Sequence, residues 1–149
     1  MKTNKLIFAG CILSLLIVSC NSKKEKPFPL EGTWQMVYGD WQASDGSKYP
    51  ADIKGSQIKT WTKFNFTFVG QFIYPDHMDN AYGAGNYTLD GNRYTEKLIY
   101  HYQKSYLDEG DVRLLVEFKK DTLIQRWPVD KNWQLPKKYC IEKYVRLYK

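Results

Sequence analysis

Hydrophobic and polar residues alternate with a period of two along most of the chain after residue 27. Successive side chains of a β-strand point to opposite faces, so this period is typical of strands with one buried face. The alternation is sharpest where Phe64, Phe66 and Phe68 are separated by polar residues, and Phe72 and Tyr74 continue it on the same parity. No segment there has a convincing helical period. The pattern predicts an all-β chain.

Eight segments carry this alternation, and polar turn residues separate them. Asp90-Gly91-Asn92 is a strong tight-turn signal because Gly and Asn tolerate positive φ, and Lys120-Asp121 marks a second turn. Stretches 39–55, 75–84 and 129–139 are rich in Gly, Pro, Asp and Asn, and are interpreted as loops. The predicted strands are 32–38, 56–61, 64–74, 85–89, 93–102, 112–118, 122–127 and 141–148.

Consecutive antiparallel strands in one domain of this length favour a single up-and-down barrel of about eight strands, with a sandwich as the alternative. The interior of such a barrel is either filled by side chains or holds one small ligand. Strand parity assigns seven residues to that interior as candidate ligand contacts: Trp34, Tyr94, Glu96, Tyr100, Trp127, Arg146 and Tyr148.

Glu96 is the unusual member of this set because it lies mid-strand between Tyr94 and Leu98. A buried carboxylate needs a partner. One hypothesis makes Glu96 a ligand-binding or acid–base group. The other makes it part of a structural network with Tyr144, Arg146 or Tyr148, or places it on a face turned to solvent.

The N-terminus has the pattern of a targeting signal. Lys2 and Lys5 precede an apolar run over 6–18, which is too short to span a bilayer stably. Ile17-Val18-Ser19-Cys20 resembles the lipobox of bacterial lipoproteins, in which the cysteine is acylated and becomes the mature N-terminus. We therefore expect a signal peptide at 1–19, a lipidated Cys20 with a polar tether over 20–29, and one folded domain at 30–149.

Charge argues against nucleic acid as a partner. The 149 residues include 22 Lys and Arg against 16 Asp and Glu. Five of the basic residues and one acidic residue lie within 1–26, which leaves 17 basic and 15 acidic residues in the body. A nearly neutral body has no electrostatic footprint for phosphate backbones.

Cysteine usage agrees with lipidation. Cys11 leaves with the signal peptide and Cys20 is consumed by lipid, so Cys140 remains alone and no intramolecular disulfide forms. Cys140 lies beside a strand interpreted as buried, which favours a packed thiol over a nucleophile.

The two ends of the body resemble calycins, the lipocalins and fatty-acid-binding proteins. Gly32-Thr33-Trp34 opens the first predicted strand, and Arg146-Leu147-Tyr148 lies in the last. In calycins a Gly-x-Trp begins the barrel and an Arg on the final strand packs near that Trp. The resemblance implies that Trp34 closes one end of the barrel with Arg146 stacked on it. It also allows Arg146 and Tyr148 to hold an anionic head group.

A second resemblance covers most of the body. Residues 83–96, 121–125 and 142–146 are similar to small lipocalin-like lipoproteins of Gram-negative bacteria, many of which have no established function. The resemblance implies a lipid-anchored envelope protein and favours the outer membrane. Ser22-Lys23-Lys24 lacks the acidic stretch that is associated with surface export in some such bacteria, so we expect the barrel to face the periplasm. It implies no activity.

No catalytic or metal-binding pattern is legible, and no cofactor is expected. His77, between Asp76 and Asp79, lacks a second His or Cys at ligand spacing, and parity places His101 on the outer face. An enzyme is the third-ranked hypothesis, and it requires Glu96 or His77 to lie in a cleft with a partner within hydrogen-bond reach. Two hypotheses rank above it. The first is a carrier that binds a small hydrophobic or amphipathic molecule, and the second is a protein-interaction or inhibitor module with a filled barrel acting through its loops. A cavity of several hundred Å³ favours the first.

Overall fold

A computed structural model of the protein describes residues 29–147. The predicted signal peptide, Cys20 and Tyr148 lie outside this range. Within it the chain forms nine strands and one short helix, α1 (Lys104–Asp108). The strands are β1 (Gly32–Trp41), β2 (Lys48–Tyr49), β3 (Lys54–Trp61), β4 (Asn65–Ile73), β5 (Met78–Asp90), β6 (Arg93–His101), β7 (Val112–Lys119), β8 (Thr122–Trp127) and β9 (Cys140–Arg146).

Eight of these strands form a closed antiparallel barrel. From β3 to β9 each strand pairs with the next, β1 pairs with β3, and β1 also pairs with β9 from Trp34↔Arg146 to Trp41↔Cys140. The two-residue strand β2 adds to the end of β1. The predicted all-β, up-and-down barrel of about eight strands is confirmed, and this is the architecture expected from the resemblance to lipocalins.

One end of the barrel is closed by large aromatic side chains. Trp34 is 2% exposed, meets Trp61 edge-on at 6.5 Å and donates from Nε1 to the Leu30 carbonyl at 2.8 Å. The guanidinium of Arg146 lies over the Trp34 ring at 4.4 Å, as the resemblance implied. Gly32 begins β1 with φ +122°, and a Cβ there would lie 2.5 Å from Arg146 Nη1. The glycine of Gly-x-Trp thus makes room for the stacked arginine.

Three predictions of local structure are wrong. Stretch 39–55 is not a loop throughout, because β1 extends to Trp41, β2 lies at Lys48–Tyr49 and β3 begins at Lys54. Stretch 75–84 is not a loop throughout, because β5 already begins at Met78. Its glycine, Gly83, was read as a loop signal although it fits a strand: a Cβ on Gly83 would lie 2.4 Å from the Phe68 ring, so only glycine permits this close packing. The short helix α1 was also not predicted. It has no buried residue, so it lacks the apolar periodicity by which helices are recognised.

The described residues contain no helix long and apolar enough to cross a membrane.

Candidate functional site

The barrel contains a cavity of about 240 Å³ in the half opposite Trp34. Its lining comes from every barrel strand and from the segments around the open end. The apolar part of the wall includes Met36, Trp41, Phe68, Phe72, Ala81, Leu98, Val112, Leu114 and Trp127. The polar part includes Asp45, Gln57, Lys59, Asp79, Glu96, His101, Gln125 and Glu142.

A buried ion pair forms one polar part of this wall. Lys59 on β3 donates from Nζ to Oε1 of Glu96 on β6, and the two side chains are 6% and 8% exposed. The ammonium also lies between 4.9 and 5.9 Å from the rings of Trp61, Phe66, Phe68 and Tyr94. Glu96 is buried, as its predicted inward position requires, and its ion-pair partner is Lys59. Tyr144 and Arg146 bond elsewhere, to Glu142 and to the Pro29 and Glu31 carbonyls.

Lys59 was missed by sequence reasoning. The apolar Ile58 in this strand is exposed, and the inward residues of β3 are Gln57, Lys59 and Trp61. The shared parity of Lys59 with Trp61 was the available signal. This signal is weak evidence for an inward lysine, because a lysine on a strand usually faces water.

Glu142 on β9 is a carboxylate held by neutral donors. Trp41 donates from Nε1 to Oε1 at 3.0 Å, and the Tyr144 hydroxyl donates to Oε2 at 2.8 Å. Gln57 in turn donates to the Tyr144 hydroxyl at 2.9 Å. Burial and the charge of Glu142 raise the pKa of Tyr144 well above its ordinary value, so the phenol keeps its proton. Among the described residues no ion pair neutralises Glu142.

Gln125 on β8 faces the same part of the wall. It is 0% exposed, and neither its amide nitrogen nor its amide oxygen has a hydrogen-bond partner among the described residues. Gln125 is the register partner of Glu142, so their side chains are neighbours on one face of the sheet. Most buried polar groups are hydrogen-bonded, and an unpartnered amide beside a cavity calls for an explanation.

The open end is lined by aromatic rings. A register shift in the β5–β6 pairing, at Ala84 and Gly85, leaves Ile99 without a register partner on β5. Beyond it, His101 faces the cavity and packs on Tyr102 at 4.6 Å, Tyr106 at 4.5 Å and Phe68 at 5.6 Å.

The predicted interior residues therefore divide into groups. Glu96 and Trp127 line the cavity, whereas Trp34, Tyr94 and Arg146 belong to the closed half and do not line it. Tyr148 lies outside the described residues. The inward position predicted for Tyr100 is wrong, because Tyr100 is 68% exposed, and the outward position predicted for His101 is wrong as well. The cause in both cases is the bulge at Ile99, which reverses parity.

Arg146 has a structural environment at the closed end. Besides stacking on Trp34, its guanidinium donates from Nη2 to the Pro29 carbonyl at 2.9 Å and from Nη1 to the Glu31 carbonyl. These contacts tie the start of the barrel to its last strand. An interaction of Arg146 with an anionic head group stays a prediction.

The two histidines are expected to titrate on opposite sides of the ordinary histidine pKa of about 6.5. The hydrogen bond to Asp76 raises the pKa of His77, whereas burial lowers the pKa of His101. Stability from His77 is therefore complete below the unfolded pKa and is lost as pH rises through the folded pKa. Stability from His101 is complete above the unfolded pKa and is lost as pH falls through it toward the folded value.

Both values are measurable by NMR from the Hε1 resonances of the full-length chain, and His77→Asn assigns the higher one. A pKa of His101 above that of His77 would contradict the burial argument.

In the described part of the chain, no three His, Cys, Asp or Glu side chains gather as a metal site.

Cys140 is expected to be unreactive in the folded chain. It is 0% exposed, and burial raises its pKa to about 11, so the nucleophilic thiolate is scarce at neutral pH. We expect a thiol-reactive disulfide reagent at pH 8 to label Cys140 at least tenfold more slowly in buffer than in 8 M urea. Each factor of ten in rate corresponds to ~1.4 kcal/mol of protection by the fold. A Cys140→Ala variant gives the background, and equal rates would show that this end of β9 opens readily.

No family model and no curated protein matches the chain. Among solved structures, an uncharacterized protein from Bacteroides eggerthii is similar over 78% of this chain and 98% of its own, with 12% sequence identity and a TM-score of 0.44. The function is therefore inferred from the cavity itself.

Proposed function

We propose that the protein binds one small amphipathic molecule in the open half of its barrel. The unpartnered amide of Gln125 carries this proposal, because a solid core would bury an apolar side chain at that position. A ligand that enters the cavity gives the amide a partner and covers the apolar wall at the same time. Both features are typical of small-molecule pockets, which are mostly apolar with a few placed polar groups.

The cavity volume limits the size of this molecule. At about 240 Å³ it lies between an engineered cavity of about 150 Å³ that holds benzene and the range of about 300–1,000 Å³ typical of ligand pockets. This favours a compact ligand of about one ring with a short polar chain over a fully enclosed long acyl chain.

The proposed setting is the cell envelope of a Gram-negative bacterium, with the barrel held to the membrane through lipid on Cys20. The lipobox-like Ile17-Val18-Ser19-Cys20 supports this anchor. Metabolic labelling with an alkyne-bearing fatty acid tests it: the wild-type chain is expected to take up label and the Cys20→Ala chain to take up none. Label on Cys20→Ala would reject this anchor.

Binding is tested with 2-phenylethanol, a neutral single-ring probe, by calorimetric titration of the full-length chain in a nonionic detergent. Ala81→Leu extends a side chain into the cavity and is expected to weaken binding at least tenfold. Ala84→Leu is the matched control, because Ala84 lies on the same strand and does not line the cavity. Native mass spectrometry of protein purified gently from its own envelope is expected to show a co-purified small molecule. Absence of probe binding and of any co-purified molecule would reject the carrier function.

A protein-interaction module is the second candidate, and one observation favours it. Ile58, Val69 and Tyr82 are register neighbours on β3, β4 and β5, and all three are exposed on the outer wall. If this stripe is an interface, Val69→Lys is expected to abolish co-purification of a protein partner while leaving 2-phenylethanol binding unchanged. A partner retained by Val69→Lys would reject the stripe as its contact surface.

A further inference from the structure

The charges around the cavity are unbalanced. Four carboxylates line it, and Lys59 is the one lysine or arginine among the lining residues. Lys59 is already neutralised by Glu96. Asp79 has a distant partner, since its Oδ2 lies 3.8 Å from Nε2 of the exposed His77, and Asp45 accepts from the backbone and hydroxyl of Ser47. The cavity therefore keeps an excess of negative charge.

Glu142 is the carboxylate in the best position to bind a cationic group of a ligand. Trp41 and Tyr144 fix the orientation of its two oxygens without neutralising the charge. An ionised carboxylate has about four acceptor positions, so two remain for a ligand. A half-buried negative charge held by neutral donors is a prepared partner for a cation.

The neighbouring amide supplies a second acceptor. Gln125 stands opposite Glu142 in the β8–β9 register, and its carbonyl oxygen has no partner among the described residues. An ammonium group carries two or three N–H donors, enough to reach both acceptors together. A carboxylate ligand would instead meet the unbalanced negative charge, and a neutral hydroxyl would leave it uncompensated.

We infer that the ligand of this cavity is a small primary or secondary amine whose ammonium group binds Glu142, with the Gln125 carbonyl as second acceptor. This inference rests on the proposed function and assigns its ligand a charge. The aromatic wall, including Phe72 and Trp127, then packs the apolar part of the amine.

Three probes of nearly equal size test the charge: 2-phenylethylamine, 2-phenylethanol and phenylacetate. They are titrated at pH 7 into the full-length chain in a nonionic detergent. The amine is expected to bind at least tenfold more tightly than the alcohol, and phenylacetate most weakly. Glu142→Gln keeps the size of the side chain and an oxygen that accepts from Trp41. It is expected to weaken binding of the amine at least tenfold and to change the affinity for the alcohol less than twofold.

Glu117→Gln is the matched control, because it removes the same charge from the outer wall, where Glu117 pairs with Arg126 at 3.0 Å. It is expected to leave all three affinities unchanged. Gln125→Leu is expected to weaken the amine without lowering the thermal midpoint, since it removes an unpartnered buried amide. These wild-type selectivities and the Gln125→Leu result decide the inference even if Glu142→Gln fails to fold.

Two outcomes overturn the inference and leave the proposed function intact: phenylacetate or 2-phenylethanol binding as tightly as the amine, or Glu142→Gln weakening the amine no more than Glu117→Gln does. Failure of all three probes to bind the wild-type chain, together with the absence of a co-purified small molecule, rejects the proposed function and the inference. A co-purified molecule that carries no amine overturns the inference alone.

Discussion

Replacing Lys59 by methionine is expected to lower the free energy of unfolding by about 3–5 kcal/mol, because it leaves the Glu96 carboxylate buried without its partner. Both side chains are less than one-tenth exposed, and the ammonium also lies among four aromatic rings. Methionine keeps most of the volume, so the loss reports the charge and not a cavity. Urea unfolding followed by circular dichroism measures it.

Two controls separate this ion pair from ordinary surface effects. Lys97→Met changes the exposed neighbour of Glu96 on the outer face of β6 and is expected to stay within about 0.5 kcal/mol of the wild type. The double variant Lys59→Met, Glu96→Leu removes both charges and is expected to recover most of the loss, since apolar replacements of buried ion pairs are often neutral or stabilising. A loss below about 1 kcal/mol in Lys59→Met, the range of exposed pairs, would show that water reaches the pair.

The barrel was predictable because several of its strands alternate regularly between buried and exposed positions. Phe66 and Phe68 on β4 and Leu114 and Val116 on β7 all fall on the faces that their parity predicts. The pairing of Trp34 with Arg146 followed from resemblance, and the structure adds its reason: the two residues are register partners where β1 meets β9. Local pattern and closure agree here, so the prediction holds.

The open half departs from simple alternation in places that sequence does not mark. The bulge at Ile99 arises where β6 must follow β5 past Gly85, whose missing Cβ lets the Lys97 carbonyl approach. One unpaired residue then exchanged the faces of Tyr100 and His101. A second irregularity between Met36 and Tyr38 shifts β1, so Tyr38 leaves the face of Met36 and Trp41 reaches the cavity. These irregularities depend on neighbouring strands, which alternation along one segment does not contain.

The polar wall was hidden for a related reason. Gln57, Lys59, Gln125 and Glu142 each read as solvent-facing residues in a strand, and only closure of the barrel turns them inward together. Their partners lie on different strands, as for Glu142 with Trp41, which are separated by 101 positions in the chain. The sequence therefore predicts the barrel interior, but it does not show which polar residues line the cavity.

The two halves of the barrel differ in how they contribute to stability. The closed half uses large rings to supply stability, whereas the open half keeps an unpartnered amide and unbalanced carboxylates that cost stability. Such a cost is typical of binding sites, where groups are arranged for a ligand and not for the free protein.

Trp34→Ala tests this division and is expected to lower the free energy of unfolding by about 3–5 kcal/mol, the usual cost of removing a buried large aromatic side chain. It removes the Trp61 contact, the Leu30 hydrogen bond and the platform of Arg146 together. Urea unfolding measures the loss. Trp34→Phe keeps an aromatic ring but no hydrogen-bond donor, so its free energy of unfolding is expected to lie between those of the wild type and Trp34→Ala. Because Trp34 does not line the cavity, 2-phenylethanol should bind Trp34→Ala within about twofold of the wild type at a temperature where the variant is folded. A folded Trp34→Ala that loses the probe as Ala81→Leu does would show that the two halves act as one unit, and stability and binding would then depend on the same rings.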